Sequence, residues 1–264
     1  SSSRGNVIFT SPCDSLITCV PPVVYVTAIN DNNFDIIWAA GNEETTWNVD
    51  IKEFGDSDWT NVVTSTNNNE YSFTDMSYST TYQVRVTANC SGGETASAII
   101  SVYISCPPIT ELPFTENFDT WTASSTAAID SCWNRLSDYV SGSSQYPYIS
   151  TSYSLSSNKS VYMYSTATTY SALILPPFAT SMDSLQISFG LYKTTTGSYP
   201  IQVGVMVDPS DISTFTAVAT VDASQGYRWQ MFEIPLNGYT GSGKYIALVS
   251  PNGTSSYPYL DNVE

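Results

Sequence analysis

The 264-residue chain contains no histidine, so a Ser-His-Asp triad, a Cys-His pair and any histidine-bearing zinc site are excluded within it. The groups left to do chemistry are thiols, carboxylates, hydroxyls and aromatic rings. Cysteines stand at Cys13, Cys19, Cys90, Cys106 and Cys132, and none forms a CxxC pair. A zinc site would need four thiolates from scattered loops, so disulfides in an oxidising compartment are the expected use of these residues. The competing reading is that they are small buried hydrophobes. The second half of the chain is rich in carboxylates, from Glu111 and Glu116 through Asp208 and Glu233 to Asp261 and Glu264. A glycosidase needs two of these facing each other at about 5 to 10 Å, and the linear spacing contains no glycosidase signature. Aromatic residues are the third resource: Tyr146, Tyr148, Tyr162, Tyr164, Tyr192, Tyr199, Tyr227, Trp229, Tyr257 and Tyr259. They can stack on sugar rings, or serve as ordinary half-buried strand residues.

Charge narrows the partners. With 8 Lys and Arg against 24 Asp and Glu, the formal net charge is −16. Such a balance opposes nucleic acid, which is bound largely through basic residues, and anionic membrane surfaces for the same reason. No apolar run approaches the roughly 18 to 20 residues that span a bilayer, so direct membrane insertion is not expected. The opening SSSRGNVIFTSPCDS lacks the apolar core of a secretion signal, and the chain reads as a processed or excised fragment. At 42% hydrophobic residues with 19 tyrosines, the composition is that of folded sheet rather than disorder.

The elements that must position these side chains are strands. Residues 23–104 give seven short β-branched and aromatic runs, from VVYVTAI to TASAIISVYI, separated by Asn, Gly, Asp and Ser clusters, which is the pattern of a seven-stranded sandwich. Pro107 and Pro108 interrupt any sheet and mark a boundary. From Leu112 onward, about ten or eleven further runs without helical period predict a jelly-roll sandwich. The expected organisation is a tail of a preceding domain or linker at 1–17, a first sandwich at 18–106 and a jelly roll at 107–264.

Two resemblances sharpen this. FDIIWAA, with Trp38, and MSYSTTYQVRVTA, with Tyr82 at a tyrosine-corner position, resemble the fibronectin type III pattern; Met76 and Ser79 depart from its usual Leu and Pro. This likeness implies a spacer or interaction module. LPFTENFDTW, CWNR and YLDNVE resemble the ends of cleaved-adhesin and MAM-like jelly rolls of Bacteroidetes surface proteins, and more distantly jelly-roll carbohydrate-binding modules. In a fibronectin-like sandwich the first strand starts and the sixth ends at one pole, which implies Cys19 beside Cys90. Cys106 and Cys132 are then expected to staple the linker to the second module. Cys13 has three open fates: a free thiol, a partner outside the sequence, or competition with Cys19 for Cys90. Related jelly rolls tie their first strand motif to their last with calcium, which takes six to eight oxygen ligands. The matching positions are Glu116 and Asp119 in ENFD and Asp261 in LDNV. Strand alternation sets Glu116 and Asp119 on opposite faces unless the chain bends between them, so Asp119 and Asp261 are the stronger pair.

In SLQISFGLYK, Leu185, Ile187, Phe189 and Leu191 alternate with Gln186, Ser188, Gly190 and Tyr192, and PIQVGVMVD repeats the arrangement with Gln202 on its polar side. If these two strands pair as a hairpin, Tyr192 offers a stacking surface and Gln186 and Gln202 hydrogen bonds for a glycan, with Trp229 extending the patch. The expected protein is an extracellular or cell-surface, non-catalytic adhesion or carbohydrate-binding fragment, whose partner is a glycan or a host or bacterial surface protein. The alternatives are a glycoside-active enzyme using a carboxylate pair in the jelly roll, and a purely architectural spacer.

Overall fold

A computed structural model describes residues 19–93, 95–130, 132–139, 141–253, 255 and 257–264. The readings placed on residues 1–17, including Cys13, lie outside the described residues. The chain divides into two compact units after Ile104, and both are β-sandwiches.

The first unit holds β1 (Val23–Asn30), β2 (Asn33–Ala39), β3 (Trp47–Glu53), β4 (Thr60–Thr66), β5 (Glu70–Phe73), β6 (Thr80–Asn89) and β7 (Thr95–Ile104). They form antiparallel sheets of order β1-β2-β5 and β4-β3-β6-β7, the fibronectin type III arrangement. Period-two alternation drives this. On β6, Tyr82, Val84, Val86 and Ala88 are buried while the residues between them are half exposed, and they meet Phe34, Ile36 and Trp38 of β2 in one core. The buried Tyr82 hydroxyl accepts the Ser77 N–H at 3.0 Å, so its polar end is satisfied where it enters the core. Cys19 and Cys90 are joined by a disulfide with Cα atoms 5.8 Å apart.

The second unit holds β8 (Asn134–Ser137), β9 (Tyr148–Ser150), β10 (Ser160–Tyr162), β11 (Ser171–Ile174), β12 (Gln186–Tyr192), β13 (Ile201–Met206), β14 (Thr216–Val221), β15 (Gln230–Pro235), β16 (Tyr245–Ser250) and β17 (Tyr259–Asp261). They build two five-stranded sheets, β15-β12-β17-β10-β9 and β14-β13-β16-β11-β8. The inward residues of both sheets, Ile187, Phe189 and Leu191 against Ile201, Val203 and Val205, share one core with Leu173, Leu248 and Leu260. A second disulfide joins Cys106 to Cys132, with Cα atoms 5.5 Å apart.

Two expectations change here. The strand read in FTENFDTW is reduced to one bridge between Glu116 and Val263; Phe118 takes a φ of +60°, a left-handed conformation that turns the chain out of the pleat. The Glu116 carboxylate accepts the Phe118 N–H at 2.5 Å and closes that bend. The hairpin expected between β12 and β13 does not form either. β12 pairs with β15 and β17, and β13 with β14 and β16, so the intervening segment crosses from one sheet to the other and the two apolar faces oppose each other across the core.

Candidate functional site

The crossing separates the residues expected to bind a glycan. Gln202 lies on β13, in the sheet opposite to the one carrying Tyr192, and cannot share a surface with it. Around Gln202 the outer face of that sheet is partly covered, since a Cβ on Gly204 would meet the Phe215 ring at 2.7 Å. Gln186 and Tyr192 stand at the two ends of β12, about 20 Å apart at the rise of an extended strand, too far for one sugar ring. Gln186 instead lines a separate cavity of about 320 Å³ with Leu112, Phe114 and Ile246. Tyr192 and Trp229 do meet, at 5.5 Å, but a loop packs over them. The Tyr153 ring stacks on Tyr192 at 4.6 Å, and a Cβ on Gly190 would meet Leu155 at 2.7 Å. The Tyr192 face is therefore not an open platform.

Asp261, Asp119 and Glu116, the carboxylates expected to hold calcium, all accept hydrogen bonds from backbone N–H groups. Asp261 is fully buried; its Oδ2 accepts the N–H groups of Leu155 at 2.7 Å and Ser156 at 3.0 Å, and its Oδ1 accepts the Asn262 N–H at 2.8 Å. Asp119 accepts the N–H groups of Asn158 at 3.0 Å, Lys159 at 3.2 Å and Ser157 at 3.3 Å. The Asn158 N–H is foremost in holding the Asp119 carboxyl below its ordinary range. Together the two aspartates fasten residues 155–159. Lys159 completes the clasp by donating from Nζ to the carbonyls of Asp119 and Trp121 at 2.6 and 2.7 Å. Glu116 is taken up by the Phe118 turn. The donors to these carboxylates are backbone N–H groups and, at Asp261, the Ser156 hydroxyl. Among the described residues no group of three or more His, Cys, Asp or Glu gathers at one point.

The open part of the same sheet is lined with tyrosine. Across the strands Tyr192 stands opposite Tyr259, Tyr259 opposite Tyr162, and Tyr162 opposite Tyr148. With Leu191, Leu260, Val161 and Ile149 pointing into the core, alternation sends these tyrosines outward as one row. Ring centroids follow at 6.2, 4.9 and 5.2 Å. The row continues through Tyr146, Tyr164, Tyr139 and Tyr257 at spacings of 4.6 to 5.5 Å. Tyr153 caps the Tyr192 and Tyr259 end, packing on Tyr259 at 4.9 Å as well. At the other end Tyr139, Tyr146, Tyr148, Tyr162 and Tyr164 are half exposed. Beside them lies a cleft of about 560 Å³ with Tyr139, Tyr146, Arg135, Ser137 and Gln145 in its walls and no carboxylate. Burial first, and the neighbouring rings next, push the Tyr162 phenol above its ordinary value; hydrogen bonding with Tyr139 and partial burial push Tyr164 up to about 12. Phenols held neutral in this way are donors and acceptors as well as stacking faces.

The signal for this surface was in the sequence. Tyr146-Pro-Tyr148, Tyr162-Met-Tyr164 and Tyr257-Pro-Tyr259 are three Tyr-x-Tyr triplets, and period-two spacing puts both members of each on one face wherever the chain is extended.

No protein family and no curated protein matches the chain in sequence. Among solved structures it is similar to the K2 cleaved adhesin domain of Lys-gingipain, at 14% identity over 57% of this chain and 96% of that one, with a TM-score of 0.43. The K1 cleaved adhesin domain of Lys-gingipain from Porphyromonas gingivalis W83 aligns at 16% identity over 57% of this chain and 95% of that one, with a TM-score of 0.41. A structure of carbohydrate-binding modules from the β-sandwich superfamily aligns at 13% identity over 92% of this chain and 97% of that one, with a TM-score of 0.39.

Proposed function

We propose that the second unit is a non-catalytic glycan-binding module, and that sugar rings stack on the open end of its tyrosine row. The observation that supports this is the cross-strand register of Tyr259, Tyr162 and Tyr148 running on into Tyr146 and Tyr164. Strands about 4.8 Å apart set successive rings at a spacing that suits a short oligosaccharide lying across the sheet. Half-exposed phenols fit sugars because each offers an apolar face and a wet hydroxyl, so that C–H surface and ring hydroxyls are met together. Ser137, Ser144 and Gln145 in the adjoining cleft add further hydrogen-bonding groups. In this reading the first unit is a spacer, and the two disulfides suit an extracellular or cell-surface setting. Among the described residues no helix is long and apolar enough to cross a membrane.

A glycan array followed by calorimetry on the best ligand tests the proposal. Tyr146→Ala and Tyr164→Ala should each weaken binding by tenfold or more, about 1.4 kcal/mol, while Tyr227→Ala, on the exposed loop before β15, should leave it unchanged. Equal affinity in all three variants, with melting curves showing them folded, would discard the site.

A further inference from the structure

Among the described residues, Arg135 is the single charged one in the walls of the cleft beside the tyrosine row. It sits on β8, an edge strand, opposite Leu173 of β11. Because Leu173 is a core residue, the register turns Arg135 to the same side, between the sheets at their open edge. Its Nη2 donates to the Ala127 carbonyl at 2.7 Å and to the Gln145 side-chain oxygen, and its Nη1 donates to the Pro147 carbonyl at 3.3 Å. All three partners are neutral. Among the described residues no carboxylate pairs with it, whereas Arg85 has Asp50 and Lys193 has Asp222. Burial lowers the pKa of the guanidinium, the direction in which desolvation disfavours a cation. In a chain with 24 acidic and 8 basic residues, a half-buried arginine in an acid-free cleft is a charge without its counter-charge. Bracing three carbonyl-type oxygens needs donors but no net charge, and a half-buried unpaired charge is costly unless something completes it.

We infer that the glycan bound on the tyrosine row is acidic and carries a uronate carboxylate into the cleft, where Arg135 pairs with it. This rests on the glycan-binding reading and adds its ligand class. Tyr139 and Tyr146 line the same cleft and belong to the row, 5.5 Å apart, so a sugar stacked on them places its substituents within the cleft that Arg135 lines. The guanidinium offers N–H donors beyond the three bonds it already makes, and a charge-assisted bond is about twice as strong as a neutral one. The overall charge of −16 repels an acidic ligand from a distance, so binding is best measured near 0.15 M salt, where charges separated by more than about 8 Å are largely screened.

Uronate-bearing oligosaccharides and their carboxyl-reduced forms differ in one group and make a direct test by calorimetry on the whole chain. The wild-type chain should prefer the uronate form by about tenfold. Arg135→Gln should bring the two forms to equal affinity, and Arg135→Lys should keep part of the preference, having the charge without the planar fork. The wild-type comparison needs no variant, so a folding defect in Arg135→Gln does not block the test. Equal wild-type affinity for the two forms, or a preference that survives in a folded Arg135→Gln, overturns the inference. Arg135-dependent binding of sulfated glycans without a uronate preference overturns the carboxylate assignment. Binding of neutral glycans alone through Tyr146 and Tyr164 leaves the tyrosine platform standing and refutes the acidic ligand. Failure to bind any oligosaccharide refutes the platform and the inference with it.

Discussion

Replacing Asp261 with Asn tests whether this buried carboxylate is a loop anchor. Three backbone N–H groups converge on it, from Leu155, Ser156 and Asn262, and the Ser156 hydroxyl adds bonds at 3.2 and 3.3 Å. An amide supplies one acceptor oxygen where the carboxylate supplies two. If the oxygen faces Leu155 and Ser156, the NH₂ group faces the Asn262 N–H; the other orientation leaves two N–H groups facing a donor. At least one buried donor therefore loses its partner, at about 1 to 3 kcal/mol, and the retained bonds fall from charge-assisted to neutral strength. Removing a buried charge recovers part of this, so the net loss should be about 2 to 4 kcal/mol. Denaturant unfolding measures the total, and hydrogen exchange localises it: the Leu155 and Ser156 amides should lose protection while amides of β6 in the first unit keep theirs. A loss under about 0.5 kcal/mol with unchanged exchange at both amides would refute the anchor. The same melts run with a chelator decide about calcium, because an ion that binds only the folded state must raise its stability. A fall in the wild-type melting temperature on chelation, absent from Asp261→Asn, would mean that Asp261 serves the ion after all.

Two more outcomes follow from the geometry. The Cys19–Cys90 bridge closes a separation of 71 residues and Cys106–Cys132 one of 26, so loop entropy gives about 4.4 and about 3.5 kcal/mol. Denaturant melts of the paired Cys→Ala variants should show the larger loss in the first unit; the reverse order would contradict the entropic account. Tyr162 and Tyr164 are held above the ordinary phenol value, so their neutral forms belong to the fold. Their contribution to stability should be constant below about pH 10, where the unfolded chain titrates, and be lost as pH rises toward 12. Tyrosinate absorbance and denaturant midpoints measured together check this, and a midpoint unchanged to pH 11 would refute it.

The strands were legible because alternation is a local property. Each of the seven runs read in residues 23–104 overlaps one of β1 to β7, and the Tyr82 hydroxyl bond follows from a local pattern too. In the second unit ten of the eleven runs contain a strand; the exception, FTENFDTW, fails at Phe118, whose positive φ nothing in an apolar run announces. Strand order is another matter. Two neighbouring amphipathic runs bury their apolar faces equally well as a hairpin or across a sandwich, and the eight residues between β12 and β13 permit both. The placing of Gln202 beside Tyr192 rested on that choice.

What decides where the open surface lies is a loop with no periodic pattern of its own. Residues 151–159 join β9 to β10, and their position depends on N–H bonds to Asp261 and Asp119, which are distant in sequence. ENFD and LDNV supply the two aspartates, Asp119 and Asp261, whose carboxylates accept these N–H groups. Once fastened, the loop lays Tyr153 on Tyr192 and Tyr259. That closes one end of the tyrosine row and leaves Tyr146, Tyr148, Tyr162 and Tyr164 as the accessible stretch. On the proposed glycan-binding reading the two carboxylates choose which tyrosines a sugar can reach, so Asp261→Asn should open the Tyr192 end as well as lower stability.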